Sequence, residues 1–224
     1  MISLLITGTD TGVGKTWVGR ALSHALVAAG RRVVAVKPVE SGCAGAGSHL
    51  EDGALLAAAT GQLEPKAALF RFAAPIAPAL AAEREGGTID LDALMLQIEG
   101  LSQGAEVLLV EGAGGLLSPI TWEWTVVDLA RSLGAAALVV AADRLGTINH
   151  TQLTLSALEL AGVDLAGVVF TAPETPDEST GTNAAAIERL SGLDRVLSLP
   201  RENDPSAAAP QIAPVLGWLD RAAG

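Results

Sequence analysis

A glycine-rich loop near the beginning of the chain constrains the fold more than any other feature. The apolar run Ile2–Thr7 precedes it, GTDTGVGKT (Gly8–Thr16) forms it, and a helical pattern follows it. Glycines allow backbone N–H groups to turn toward phosphate oxygens, and the helix directs the positive end of its dipole to the same point. Lys15 can reach terminal phosphates, and the Thr16 hydroxyl can bind Mg²⁺. The segment therefore predicts a strand, a phosphate-binding loop and a helix.

Two other interpretations of this loop are weaker. The usual spacing of a phosphate loop places its first glycine at Thr9, whereas this chain has Gly8, one residue earlier. A glycine-rich turn that serves packing alone would fit this departure, but the strand, the Gly-Lys-Thr sequence and the helix around it favour phosphate. A dinucleotide-binding fingerprint would need a third glycine after Gly12 and Gly14, and that position is Trp17.

Short apolar runs alternate with longer helical patterns along the chain. The predicted strands are Ile2–Thr7, Val33–Lys37, Val107–Glu111, Ala137–Ala142, Gly167–Thr171 and Val196–Leu199. The predicted helices are Lys15–Ala29, Glu51–Thr60, Leu91–Leu101, Thr125–Leu133, Asn149–Leu160, Asn183–Leu190 and Ala213–Ala222. The apolar runs lack polar alternation, so both faces of each strand should be buried. We expect an α/β fold of the P-loop NTPase type, with a mostly parallel β-sheet flanked by helices on both faces, in a single domain of residues 1–224.

Charge and composition limit the partners of this chain. It has 25 acidic and 14 basic residues, a formal net charge of -11, which argues against nucleic acid or an anionic membrane as the main partner. Cys43 is the single cysteine, so no disulfide can form within the chain and a reducing cytoplasm is expected. No apolar run reaches the roughly 18 residues of a membrane span, and Met1–Ile6 lacks the basic start of a signal peptide.

Polar residues follow the predicted strands at their carboxyl ends, where parallel sheets bind ligands. Glu111 ends one strand before the turn Gly112–Gly115. Its carboxylate is expected to contribute to Mg²⁺ binding, directly or through water, rather than to be only an edge carboxylate at a glycine turn. Lys37 ends another strand. A solvated lysine would give the same pattern, but next to a phosphate loop it indicates a second cation for a phosphoryl group.

Two predicted helix starts also carry polar residues. Asp52 taken by itself indicates a helix cap more than a metal ligand, because the helix dipole favours a carboxylate there. At Thr147–His150 the helix N-terminus could bind a carboxylate, or Thr147 or Asn149 could cap the helix.

Together these motifs resemble the dethiobiotin synthase family, biotin-pathway cyclo-ligases of the phosphate-loop superfamily. The resemblance lies in four segments: TGTDTGVGKT (Thr7–Thr16), KPVESG (Lys37–Gly42), LVEGAGGLL (Leu109–Leu117) and LGTINHTQLT (Leu145–Thr154). It implies a homodimer that uses ATP, Mg²⁺ and CO2 to convert 7,8-diaminononanoate to a cyclic urea. It also implies that one amine captures CO2 as a carbamate, which takes the γ-phosphoryl group before the second amine displaces phosphate.

The resemblance implies a role for each matching residue. Lys15 and Lys37 would be the catalytic cations, and Thr16, Asp52 and Glu111 would hold the metal. The nucleotide would be bound by Gly12, Val13, Gly14, Lys15, Thr16, Trp17, Asp52, Glu111, Gly112, Ala113, Gly114, Thr171, Pro200, Arg201 and Glu202. The substrate would be bound by Thr11, Lys37 and Ser41, and by Thr147, Ile148, Asn149 and His150 of the partner subunit.

Two neighbouring positions depart from the family pattern. Many members have an adenine-binding asparagine where Thr171 stands here, followed by an aspartate where this chain has Ala172. Threonine can form one hydrogen bond where asparagine forms a bidentate pair, so we expect weak selection of ATP over other nucleoside triphosphates.

Three other functions fit the sequence less well. Partitioning or regulatory ATPases of the same superfamily, which act as binding switches, usually carry a lysine five residues before the loop lysine, and that residue is Asp10. The synthetase domain of a glutamine-dependent amidotransferase would need a thiol-bearing glutaminase domain, for which this chain has no room. A nucleotide-dependent scaffold would have no use for Lys37 and Ser41 beside the loop.

Overall fold

A six-stranded parallel sheet forms the centre of the fold. The structure is a computed structural model, and it describes residues 1–43 and 48–222. The main sheet has the order β2-β5-β1-β6-β7-β8, with every neighbouring pair parallel, and β3 pairs with β4 in a separate small sheet. The strands are β1 (Ile2–Gly8), β2 (Val33–Val36), β3 (Val39–Ser41), β4 (Phe70–Phe72), β5 (Val107–Glu111), β6 (Ala136–Ala142), β7 (Leu165–Thr171) and β8 (Val196–Leu199).

Helices cover both faces of the main sheet, which confirms the predicted fold class. They are α1 (Lys15–Ala28), α2 (Asp52–Thr60), α3 (Pro78–Arg84), α4 (Leu91–Ser102), α5 (Val126–Leu133), α6 (Thr147–Ala161), α7 (Asn183–Ser191), α8 (Ala209–Ile212) and α9 (Pro214–Ala222), with a 3-10 helix at Pro205–Ala208. Within the described part of the chain, no helix has the length and apolar character that crossing a membrane requires.

Successive residues of β1 pack into different apolar layers. Leu4 and Ile6 are buried in the layer that contains Val18 and Leu22 of α1. Leu5, between them, is buried in the opposite layer, with residues of α4 and α5. Side chains of a strand alternate between its two faces, and here both faces are covered. This double burial is the reason why the sheet strands read as uninterrupted apolar runs.

The small sheet of β3 and β4 was not expected from the sequence. Each strand has only three residues, too few to show a periodic pattern. The pairing places Val39 opposite Phe70, and Glu40 opposite Arg71. It holds the segment after β2 beside the carboxyl ends of the main sheet.

Several predicted boundaries differ from those in the structure. The strand predicted as Val33–Lys37 ends at Val36, which leaves Lys37 in the connection to β3. The helix predicted as Asn149–Leu160 begins at Thr147, because Gly146 starts it in a left-handed conformation with φ 92°. The sequence prediction also missed α3, the 3-10 helix and α8. Residues 44–47 and 223–224 of the predicted domain lie outside the described residues.

Candidate active site

A cavity of about 550 Å³, called the first cavity below, lies at the carboxyl ends of β1, β2 and β5. Part of its wall is the glycine loop that joins β1 to α1, and other parts are β3 and the turn after β5. It brings together many residues that the sequence analysis had selected: Thr11, Gly12, Gly14, Lys15, Thr16, Trp17, Lys37, Ser41, Asp52, Glu111, Ala113 and Gly114.

The glycine loop has a conformation that its glycines make possible. Gly12 and Gly14 have φ values of 75° and 93°, which other residues rarely adopt. A Cβ atom at Gly8 would lie 2.7 Å from Val13 Cγ2, closer than packed atoms approach. Gly8, the glycine that departs from the usual spacing, therefore leaves the space that the Val13 side chain occupies.

Lys15 is buried inside this loop. Its Nζ donates a hydrogen bond to the carbonyl oxygen of Asp10, 2.9 Å away across the loop. Burial, together with the positive charge of Lys37, lowers the pKa of Lys15 to about 8, although Glu111 and Asp52 oppose the shift. An anion in the loop would favour the charged form of this lysine.

Lys37 and Thr16 both bridge Asp52 and Glu111. Lys37 Nζ lies 2.8 Å from Asp52 Oδ2 and 2.5 Å from Glu111 Oε1. The Thr16 hydroxyl lies 2.8 Å from Asp52 Oδ1 and 2.9 Å from Glu111 Oε1. The capping role considered for Asp52 is wrong, because Asp52 is the first residue of α2 and Glu51 occupies the N-cap position. Its carboxylate faces Thr16 and Lys37 instead.

The pKa values in this cluster follow from burial and from the close opposite charges. Burial raises the pKa of Glu111, and Lys37 offsets only part of that effect. For Lys37, burial favours the neutral form, but Glu111 and Asp52 outweigh it and raise the pKa. For Asp52, burial is likewise outweighed, here by Lys37, so that its pKa is lowered. The cluster therefore keeps a permanent cation next to the glycine loop.

Thr16, Asp52 and Glu111 also have the chemistry of a magnesium site. Their donor atoms are a hydroxyl and carboxylate oxygens, which are the ligands that Mg²⁺ prefers in proteins. Glu111 Oε2 is buried and has no hydrogen-bond partner among the described residues. An orphaned buried acceptor of this kind is an observation that a bound cation would explain.

A second group of possible metal ligands lies nearby. The ligand atoms of Glu40, Cys43 and Glu51 are all within 4.8 Å of one another. Here Arg71 already forms an ion pair with Glu51 at 2.7 Å, and the Glu40 carboxylate accepts two backbone N–H groups. These groups have partners in the protein itself, so we assign no metal to them.

The wall of the first cavity around Ser41 includes residues that the sequence analysis missed. Ser41 Oγ is buried without a hydrogen-bond partner among the described residues, which leaves it available to a ligand. Glu40, Ser118 and the segment Pro75–Pro78 also line the cavity. In the sequence, the prolines of this segment could have indicated a helix start, since proline is favoured in the first turn and Pro78 begins α3.

A second cavity, of about 440 Å³, lies on the other side of the glycine loop. Gly12, Gly14 and Trp17 line both cavities, and the second is also lined by other residues predicted to bind the nucleotide: Val13, Thr171, Pro200, Arg201 and Glu202. Trp17 Nε1 donates to the carbonyl of Glu202 at 3.0 Å, which ties α1 to that wall. Gly112 lines neither cavity, and its carbonyl lies 3.5 Å from Lys37 Nζ.

Thr171 has a structural contact that the sequence did not indicate. Its hydroxyl donates a hydrogen bond to the carbonyl oxygen of Val13 at 2.8 Å. A Cβ atom at Gly14 would lie 3.1 Å from its methyl group. The end of β7 therefore supports the glycine loop directly, and the one proton of this hydroxyl is already used.

The segment Thr147–His150 lies apart from the first cavity of its own chain. The capping interpretation is wrong: Gly146 is the N-cap residue of α6, and no side chain caps that end. His150 borders a third cavity of about 460 Å³, between α6 and Thr11 of the glycine loop. Thr147, Ile148 and Asn149 line none of the three cavities.

The fold and the loop define the class of this protein as a P-loop NTPase. Similar solved structures include the septum site-determining protein MinD from Pyrococcus horikoshii OT3 in complex with Mg-ADP, with a TM-score of 0.60 at 16% identity, covering 100% of this chain and 97% of that one. A ParA family ATPase from Chlorobium tepidum TLS has a TM-score of 0.58 at 14% identity, covering 100% and 98%. At such identities the likeness concerns the fold.

Sequence comparisons narrow this class to one family. A family described as an AAA domain matches residues 3–209. The ATP-dependent dethiobiotin synthetase BioD of Anaeromyxobacter dehalogenans (strain 2CP-C) is 45% identical over 221 residues, covering 96% of this chain and 97% of the relative. That of Aquifex aeolicus (strain VF5) is 40% identical over 201 residues, covering 90% of each. The chain belongs to the ATP-dependent dethiobiotin synthetase family, which confirms the resemblance of its motifs and makes it a ligase of biotin biosynthesis.

Proposed function

We propose that this chain converts 7,8-diaminononanoate and CO2 to dethiobiotin and releases ADP and phosphate from ATP. The observation that carries the proposal is that Lys15, Lys37, Asp52 and Glu111 are brought together in the first cavity, which shares Gly12, Gly14 and Trp17 with the second cavity. The second cavity would hold the nucleoside, the loop its phosphates, and the first cavity the diamine.

The reaction requires no nucleophile from the protein. One substrate amine attacks CO2 and loses a proton to give a carbamate. A carbamate oxygen then attacks the γ-phosphorus, so that ADP leaves and a carbamic-phosphoric anhydride remains. The second amine attacks the carbonyl carbon, phosphate departs, and the cyclic urea closes. Positioning of the reactants and neutralisation of charge are what the enzyme has to supply.

Lys15 and Lys37 would supply the cations for the transferred phosphoryl group. Lys15 stands within the loop that would surround the phosphates, and Lys37 lies beside it at the base of the first cavity. Thr16, Asp52 and Glu111 would hold Mg²⁺, which neutralises phosphate charge when bound. Asp52 and Glu111 keep the Lys37 ammonium in a fixed position, and a preorganised cation of this kind stabilises transition-state charge.

Thr11 and Ser41 would bind the carbamate from two sides of the first cavity. Ser41 Oγ is buried and unpartnered among the described residues, as expected of a group reserved for a ligand. Thr11 borders both the first and the third cavity, so it would lie between the carbamate and α6.

The enzyme would act as a homodimer in the cytoplasm. Two large apolar side chains that border the third cavity, Leu117 and Leu153, are exposed. A second copy packed on this surface would cover them and could place its Thr147–His150 segment at the substrate's carboxylate tail. The free thiol of Cys43 suits a reducing compartment. A single domain over residues 1–224 is supported by a main sheet whose strands extend from Ile2 to Leu199.

One assay tests the proposed function. Purified protein is mixed with Mg²⁺, ATP, bicarbonate and the diamine, and cyclic urea and phosphate are measured together. We expect both products in equal amounts only when all components are present. The matched control is a nonanoate with a single amine, which cannot close the ring. ATP hydrolysis stimulated by DNA, a membrane or a protein, with none by the diamine, would favour a binding switch instead.

A further inference from the structure

Glu40 in β3 has a buried carboxylate with a defined pair of partners. One oxygen accepts a hydrogen bond from the backbone N–H of Asp52 at 2.6 Å, and the other from that of Gly53 at 3.0 Å. These are the first N–H groups of α2, which have no partner inside the helix. The N-cap residue Glu51 forms no side-chain cap. A carboxylate from a separate strand therefore takes the place of a local cap.

Asp52 is thereby held at both its backbone and its side chain. Its N–H donates to Glu40, while its carboxylate oxygens contact Thr16 and Lys37 at 2.8 Å each. The direction of the side chain depends on where the first turn of α2 begins. Glu40 is the contact that sets this start against β3, the strand that also carries Ser41.

The rest of the turn around Asp52 has little freedom. Glu51 is paired with Arg71 by contacts of 2.7 and 2.9 Å, and Arg71 is opposite Glu40 in the β3–β4 register. The backbone at Ala67 and Ala68 packs directly on Gly53, with no room for a Cβ atom. These contacts hold the residues on either side of Asp52, and Glu40 is the acceptor of the backbone N–H of Asp52 itself.

We propose that Glu40 is a positioning residue that orients Asp52 for metal binding and for phosphoryl transfer, an inference that rests on the function proposed above. The alternative is that Glu40, which lines the first cavity, binds the diamine itself. Both of its oxygens already accept backbone N–H groups, which favours the positioning role. The two roles differ in their kinetic signature, because a substrate ligand acts on the KM of the diamine.

The main variant is Glu40→Gln, which keeps the size of the side chain but replaces one acceptor oxygen with a donor. Mn²⁺ affinity is measured by electron paramagnetic resonance in the complex with a non-hydrolysable ATP analogue, and kcat and the KM of the diamine are measured separately. Loss of a residue that orients a metal ligand typically costs about 10–100-fold in metal affinity or activity. We expect a loss of that size in Mn²⁺ affinity and in kcat, with the KM of the diamine nearly unchanged.

Two further variants keep the test decisive. Glu40→Asp retains the buried charge but withdraws the carboxylate from α2, and it should show the same losses if Glu40→Gln does not fold. Asp90→Ala is the control: it removes the side-chain cap of α4, where Asp90 accepts a hydrogen bond from Ala93 N–H at 3.0 Å. It should leave the Mn²⁺ affinity and kcat unchanged. An unchanged Mn²⁺ affinity in the Glu40 variants, or an effect on the diamine KM alone, would overturn the proposal. If the wild-type protein forms no cyclic urea, the proposed function fails, while the Mn²⁺ measurement still tests the link from Glu40 to Asp52.

Discussion

Lys37 Nζ lies 2.5 Å from Glu111 Oε1, and both side chains are buried, with 4% of Lys37 and 1% of Glu111 exposed. Charges so deeply buried are stable only as a pair, because the desolvation of each is offset by the other. The pair joins the end of β5 to the connection between β2 and β3. Lys37, the cation that we assign to catalysis, therefore also stabilises the folded site.

Replacement of Lys37 by alanine should nearly abolish turnover while nucleotide binding remains. A cation directed at transition-state charge contributes on the order of a hundredfold or more in rate. The glycine loop, which would bind the phosphates, does not depend on Lys37 for its conformation. Cyclic urea formation and the Kd of ATP are the two measurements. Turnover at the wild-type level would remove Lys37 from the mechanism.

The free energy of unfolding should respond to the two charges as a unit. Lys37→Met leaves the buried Glu111 without its cation, and loss of one partner of a buried pair costs about 3–5 kcal/mol. The double variant Lys37→Met/Glu111→Gln should recover a large part of this loss in urea denaturation. Removal of Arg31 from its partly exposed pair with Asp220 is the control and should have little effect. The single variant Glu111→Gln completes the comparison. If the losses in free energy of unfolding of Lys37→Met and Glu111→Gln simply add up in the double variant, the two charges are not coupled.

Nucleotide binding should take up protons near pH 8. The pKa of Lys15 is lowered to about 8 in the free protein, first by burial and then by Lys37. Phosphate oxygens favour its charged form, so affinity for ATP should fall as the pH rises through this value. Calorimetry at pH 8 in two buffers with different ionisation enthalpies measures the uptake. Lys15→Met should bind more weakly and show no such uptake; equal heats for the wild-type protein in both buffers would disprove the idea.

Selection among nucleoside triphosphates should be weak. The Thr171 hydroxyl already donates to Val13, so it has no proton left to offer a base. We expect the Kd values of ATP, CTP and GTP to agree within about tenfold, since one good hydrogen-bonding contact contributes on the order of 1 kcal/mol. Thr171→Asn should increase the preference for ATP. A large preference for ATP in the wild-type protein would mean that other groups of the second cavity read the base.

A charge on the exposed face of α6 should separate the proposed dimer. Leu153 borders the third cavity and is 63% exposed, so Leu153→Asp should leave the fold intact but shift the protein to monomers in sedimentation analysis. Activity should fall with the dimer, because each site would lose its partner's Thr147–His150 segment. Leu96→Asp is the control, since Leu96 is 70% exposed on α4, away from that cavity. A wild-type protein that is monomeric and fully active would refute this assignment.

Local signals were sufficient for the main elements of the fold. The strands of the main sheet were predicted because parallel strands buried on both faces leave continuous apolar runs, as in β5, where all five residues are buried. The glycine loop was predicted because its Gly-Lys-Thr sequence occurs between a strand and a helix. The small sheet of β3 and β4 had no such signal, since three-residue strands show no period.

Residues of the candidate site were predictable to different degrees. Lys15, Thr16 and Glu111 follow strands or begin a helix in the pattern that phosphate sites require. Asp52 taken by itself indicated a cap, since the helix dipole favours a carboxylate in a first helical turn, and only the family resemblance implied a metal-binding role. Nothing near Glu40 in the sequence indicates that its carboxylate meets the N–H groups of Asp52 and Gly53, a dozen residues further along the chain.

The amino-acid sequence alone determined the strands of the main sheet, the longer helices between them, the phosphate loop and the family. These properties can be predicted from short segments, because hydrophobic periodicity and the conformational freedom of glycine determine structure over a few residues. Only the tertiary structure decided that Lys37 is held between Asp52 and Glu111, and that Thr171 supports the glycine loop through Val13. Such contacts join residues far apart in the chain, and they exist only once the sheet has placed the ends of its strands side by side.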